Sequence, residues 1–175
     1  MVSNFNELNF QTDRWYYLNN TPYHYWLSKN SDNTITIGLN DFFQKQIGEI
    51  NSVSFNLSLN AEVAKSKVLS LVKAKNYSAI LRFPFPCTVV EINENLKKHP
   101  KLINESPYDE GWLLKLNSNF SDNKLDEDWI DLSVSTNLSK LEKFINQEIK
   151  NKSLLADDCC PDFLGGSGVT RRRKK

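Results

Sequence analysis

The chain has 175 residues, 39% apolar and 25% charged, the composition of one soluble globular domain with a single core and terminal extensions. No apolar run approaches the ~20 residues that span a bilayer. The polar stretch from Met1 to Arg14 is unlike a secretory signal, so a cytoplasmic compartment with no membrane association is expected. The net charge of +1 conceals an asymmetry: without Arg171 to Lys175, 17 basic residues stand against 21 acidic ones, which leaves the body no basic face for nucleic acid.

Residues 1–20 read as an N-terminal extension. Its Trp15, Tyr16 and Tyr17 should pack onto the domain, because such a cluster is costly to leave in water. From Tyr23 the pattern becomes strand-like, and Thr34 to Ile37 alternates with Ile35 and Ile37 on one face. Asn40 is placed to cap a helix from Asp41 to Ile47, and Gly48 to end it. Val53, Phe55, Leu57 and Leu59 continue the period of two. Val68 to Val72 and Cys87 to Ile92 read as strands. Asn93 can cap a second short helix that stops near His99, because Pro100 follows. Trp112 to Leu116 is a further strand, and Trp112 is expected to be largely buried, with Phe55, Phe83 and Phe85 as core or surface-patch candidates.

Residues 118–153 form a helical appendage. Thr136 or Asn137 can cap a helix that places Leu138, Leu141, Ile145 and Ile149 on one face, with Ser139 and Glu142 as an alternative capping box. Residues 154–175 form a flexible basic tail, and its Gly165 to Gly168 lacks the text of a phosphate loop. Cys159 and Cys160 are adjacent and make a poor metal clamp. His24 is expected to be a packed side chain and His99 a helix-end residue. Asp109-Glu110 reads as a solvated turn and no acid/base dyad.

Three stretches resemble the glycine cleavage H-protein family. Tyr23 to Leu27 is similar to its His-x-Trp opening strand. Ile37 to Ile50 resembles its Gly-Ile-Thr-Asp-Tyr-Ala-Gln-x-x-Leu-Gly-Asp-Ile text. Val89 to Trp112 resembles the signature Asn-Glu-x-Leu, Pro-x-Leu-x-Asn, Pro-Tyr-x-x-Gly-Trp and is the most specific of the three. The likeness covers residues 21–117. It implies a mainly β, lipoyl/biotinyl-like barrel-sandwich hybrid of antiparallel sheets, with short capping helices and here a helical C-terminal extension. It also implies a non-catalytic protein that carries lipoate on a hairpin lysine. The implied partners are the P, T and L proteins of glycine cleavage and a lipoyl ligase or transferase.

The resemblance departs at the lysine itself. The family places it in a Glu-Ser-Val-Lys-Ala stretch. Here the residue eight before Pro84 and thirteen after Val63 is Asn76, an amide that cannot accept lipoate, and the family's preceding Glu falls at Lys73. Three readings stand together: an unmodified H-like docking protein with Asn76 at the tip, lipoylation of Lys75 through a slipped turn, or lipoylation of Lys73. The last two would serve aminomethyl shuttling or lipoate-linked sulfur chemistry. Two rival classes remain. One is an enzyme subunit with a thiol or metal site built from Cys87, Cys159 and Cys160. The other is an interaction module whose working part is the C-terminal extension.

Overall fold

The computed structural model describes residues 2–18, 24–75, 77–117 and 128–157, with side chains to residue 151 in the last segment. Tyr23, Asn76, Cys159, Cys160, Gly165 to Gly168 and Arg171 to Lys175 lie outside the described residues. After a 3-10 turn at Phe5–Glu7 come β1 (Trp15–Tyr17), β2 (Tyr25–Lys29), β3 (Ile35–Leu39), α1 (Asp41–Ile47), β4 (Ile50–Phe55) and β5 (Glu62–Val63). Then follow β6 (Val68–Ala74), β7 (Tyr77–Arg82), β8 (Cys87–Ile92), α2 (Asn95–Lys98), α3 (Leu102–Glu105), β9 (Trp112–Asn117), β10 (Trp129–Asp131) and α4 (Asn137–Asp157).

The strands make two antiparallel sheets. One has seven strands in the order β10-β1-β2-β3-β9-β8-β5, the other three in the order β4-β6-β7. Their inner faces share one core, in which Leu27, Ile37, Leu69, Val72, Leu81 and Leu114 are fully buried. Successive strand side chains point to opposite faces, and part of the large sheet is covered on both. Tyr17, Tyr25, Leu27 and Trp129 belong to the inner core, whereas their neighbours Tyr16, Trp26 and Ile130 join a second cluster with Phe42, Leu141 and Ile145. Burial on both faces explains the continuous apolar runs at these places. Trp26 lies across the neighbouring strand: it pairs with Gly38, where an added Cβ would meet the indole at 2.5 Å. Its Nε1 donates to the Pro107 carbonyl at 2.9 Å.

The structure follows the sequence expectations for α1. The Asn40 side chain accepts from the Phe43 amide at 3.0 Å, and Gly48 ends the helix at φ +78°. Elsewhere it departs from them. Asn93 caps no helix: Glu94 precedes α2, and the buried Asn93 amide donates to the carbonyls of Glu110 and Trp112 at 2.8 and 2.7 Å. The buried side chain is thereby satisfied by the chain returning into β9. β4 stops at Phe55, and Leu59 is 58% exposed, because the chain turns away at residues 59–60. α3, β1 and β10 have no counterpart in the strands and helices read from the sequence. Leu138 is exposed, leaving Leu141, Ile145 and Ile149 as the docked face of α4. Its first turn is held by Asn137, whose Nδ2 donates to the Asp131 carbonyl at 2.8 Å, while the Ser139 hydroxyl donates to the Thr136 carbonyl. Trp112 is half-buried, not in the core: it opens β9 on the outer face, with the Lys115 ammonium 5.2 Å from its ring.

Two stability differences follow. Trp26→Ala should cost ~3–5 kcal/mol, as for a fully enclosed indole, and Trp112→Ala less than ~2 kcal/mol, because only part of its area is buried. Gly38→Ala should cost ~1–3 kcal/mol by overpacking against Trp26. Urea unfolding midpoints of the three variants would check this order.

Candidate functional site

The site expected from the sequence is the β6–β7 hairpin. Its register pairs Lys73 with Ser78 and Ala74 with Tyr77. Only Lys75 and Asn76 lie between the closing pair, so the connection is a two-residue loop. Such loops are the commonest hairpin turns, because their twist suits the flanking strands. Lys75 is exposed, and its backbone N–H donates to the Glu49 carbonyl at 3.2 Å. Lys73 is also exposed, on the outer face of β6 between Ser78 of β7 and Ser52 of β4.

The base of the hairpin is braced. Ile50, the first residue of β4, pairs with Ala74, the last of β6. Just before it, the chain leaves α1 through Gly48, whose positive φ favours glycine although space for a Cβ is open there. Asn104 of α3 ties this corner together. Its Oδ1 accepts from the Ile50 amide at 2.9 Å, and its Nδ2 donates to Gln44 Oε1 at 2.7 Å and to the Gly48 carbonyl at 3.2 Å. An asparagine side chain offers one acceptor and two donors, and all three engage here. Glu49 stands between the brace and the tip. Its carboxylate pairs with Lys101 Nζ at 2.5 Å, and that ammonium holds the Glu49 pKa below its ordinary value, with Lys75 adding to the effect. In return Glu49 raises the Lys101 pKa. A cleft of about 470 Å3 opens beside this group, lined by Gln44, Lys45, Glu49, Lys101 and Asn104.

Glu49, Lys101 and Asn104 were not singled out from the sequence. Each lies inside the matched stretches, in Gly48-Glu49-Ile50 and in Pro100 to Asn104. The signal was therefore present, but not the contacts that give it meaning.

The remaining candidates do not converge on the hairpin. Cys87 is buried, and burial pushes its thiol up to about 12. Among the described residues no three His, Cys, Asp or Glu side chains are grouped to hold a metal. His24 is fully buried, edge-on to Phe42 at 4.9 Å, beside Phe144 at 5.9 Å and 3.8 Å from the Glu148 carboxylate, so it packs α4 against the domain. The His99 amide closes α2 on the Asn95 carbonyl. Asp109 and Glu110 are exposed in the turn before β9. No helix among the described residues is long and apolar enough to cross a membrane.

Two facing antiparallel sheets with a hairpin projecting from the smaller one define a barrel-sandwich hybrid of the lipoyl class. The glycine cleavage H-protein family model matches residues 15–152, and the chain belongs to that family. It is 34% identical over 126 residues to the glycine cleavage system H protein of Vibrio vulnificus, covering 72% of this chain and 90% of that protein. The Vibrio cholerae glycine cleavage system H protein is 35% identical over 96 residues, covering 55% of this chain and 75% of that protein. A crystal structure of the glycine cleavage system H protein from Mycobacterium marinum shares the fold. Its TM-score is 0.54 at 19% identity, over 63% of this chain and 87% of that one.

The local chemistry gives two checks. Brief alkylation at pH 8 should leave Cys87 unlabelled in the native protein and labelled after denaturation, by peptide mapping, because a thiol held near 12 is neutral and shielded. The lowered Glu49 pKa means that its pairing with Lys101 is intact above the ordinary carboxylate range and lost as pH falls through the folded value. Lys101→Met should therefore move the Glu49 carboxyl titration upward when followed by NMR.

Proposed function

We propose that the chain is a non-catalytic lipoyl carrier of the glycine cleavage type, with Lys75 as the attachment residue. The observation that carries this reading is the Ala74–Tyr77 closing pair, which leaves Lys75 in a two-residue tip with an exposed side chain. A lysine there supplies what attachment needs: an amine, a four-carbon stem and a turn that a modifying enzyme can enclose. Once amide-linked, lipoate supplies the redox and group-carrying chemistry. The chain's own part is to hold the tip still, through Asn104 and the Ile50–Ala74 pairing, and to present it to partner enzymes. Those partners are the P, T and L proteins of glycine cleavage and a lipoyl ligase or transferase, in a cytoplasmic setting. Lys73 is the weaker candidate, since it points from a strand, one residue before the closing pair, and not from the turn itself.

A second reading keeps a specific support. Asn76 stands eight residues before Pro84 and thirteen after Val63, where the family text places its lysine. On that reading the chain is an unmodified docking subunit.

The two readings separate in one experiment. Incubated with a lipoyl ligase, lipoate and ATP, the protein should gain one lipoyl group by intact mass, mapped to Lys75. Lys75→Arg should remove most of the gain, and Lys73→Arg should leave most of it. Absence of any mass gain would overturn the carrier reading in favour of the docking subunit; mapping to Lys73 would move the site.

A further inference from the structure

Two exposed lysines, Lys73 and Lys75, lie two residues apart on one hairpin, yet a carrier needs one acceptor. Their surroundings differ. Lys75 is tied by its backbone N–H to the Glu49 carbonyl at 3.2 Å, and its charge acts on the Glu49 carboxylate. Lys73 has Ser52 and Ser78 as its cross-strand partners, short hydroxyls with no charge. Glu49 is itself fixed: Lys101 at the start of α3 grips its carboxylate at 2.5 Å, and Asn104 pins the backbone on either side of it. Glu49 therefore neighbours Lys75 across the base of the tip, with its carboxylate held by Lys101.

We propose that Glu49 is a positioning residue that makes Lys75, and not Lys73, the acceptor of the hairpin. This rests on the carrier reading above. An ammonium on a four-carbon stem sweeps a wide arc. The Glu49 carboxylate narrows that arc to the β4 side, so the amine meets an enclosing enzyme from a defined direction. The reaction needs a lipoyl adenylate, made from lipoate and ATP by the ligase. The Lys75 ammonium gives up one proton to become nucleophilic. Its Nζ then bonds to the lipoyl carbonyl, the bond from that carbonyl to the adenylate phosphate oxygen breaks, and a second proton leaves as the amide forms. With the positive charge at Lys75 gone, Glu49 is left with Lys101 alone, a locally neutral pair in place of a trio of net charge +1.

The test is site-resolved lipoylation of the full chain with a lipoyl ligase, lipoate and ATP, quantified by peptide mapping. Glu49→Gln should lower the Lys75:Lys73 modification ratio by up to about fivefold at low salt, the upper end for one exposed charge-charge interaction, and Glu49→Asp should restore most of it. The wild-type ratio should fall as salt rises and the Glu49→Gln ratio should not, because screening acts on charge and leaves packing alone. Glu91→Gln, which breaks the similar exposed pair with Lys115 between β8 and β9, should leave the ratio unchanged. A wild-type protein modified at Lys75, with Glu49→Gln giving the same ratio at every salt concentration, would overturn the role of Glu49 and leave the carrier reading intact. Transfer to Lys73 in the wild type would overturn the role of Glu49 and move the site, and no transfer at all would overturn the carrier reading as well.

Discussion

The pairing of Ala74 with Tyr77 is the constraint on which the tip of the β6–β7 hairpin depends. Strand side chains alternate faces, so a one-residue slip would exchange the inner and outer sets of β6 and β7. Leu69, Val72 and Leu81, now fully buried, would turn to solvent. Burial of these residues locks the register, and the register leaves Lys75 in the loop and Lys73 on the sheet face. The identity of the exposed amine at the tip is thus set by apolar packing some distance beneath it.

A tip that presents an amine is useful only if its base is stiff. Here stiffness comes from joining elements remote in sequence. Asn104 connects α3 to the end of α1 and the start of β4, and Tyr25 of the large sheet exchanges hydrogen bonds with the backbone of Arg82 at the foot of β7. The two sheets are therefore tied by polar bonds at the foot of β7 and by the shared core, while Asn104 braces the start of β4 against the helices.

The large sheet has a further demand, since its outer face is also apolar around Trp26. That face is closed by α4, with Leu141 and Ile145 fully buried, and by the N-terminal arm, whose Val2 joins the same cluster. The arm is fastened at Asn9, whose amide donates to Asp41 and whose carbonyl accepts from Tyr108. Close packing at this layer explains two glycines by what a Cβ would strike: the Trp26 indole at Gly38, and the Leu102 and Ser106 carbonyls at Gly111. His24 and Cys87 are buried in these layers as part of the packing.

What the sequence determined by itself is what short-range physics controls. The alternation of Ile35 and Ile37, the Asn40 cap, the Gly48 stop and the strands at Val68, Cys87 and Trp112 each depend on neighbours within a few residues, and they could be read directly. The matched motifs carried the family and the fold class. Tertiary structure alone decided the rest, because the deciding partners lie far apart along the chain. Asn93 has the chemistry of a cap, but it is claimed by carbonyls at Glu110 and Trp112. Trp112 has the area of a core residue, but it opens a strand on the outer face. Glu49 and Lys101 look like solvated charges until the fold sets them together beneath Lys75. A local pattern states what a residue can do; the long-range contacts, made only when the sheets close, select which of those things it does.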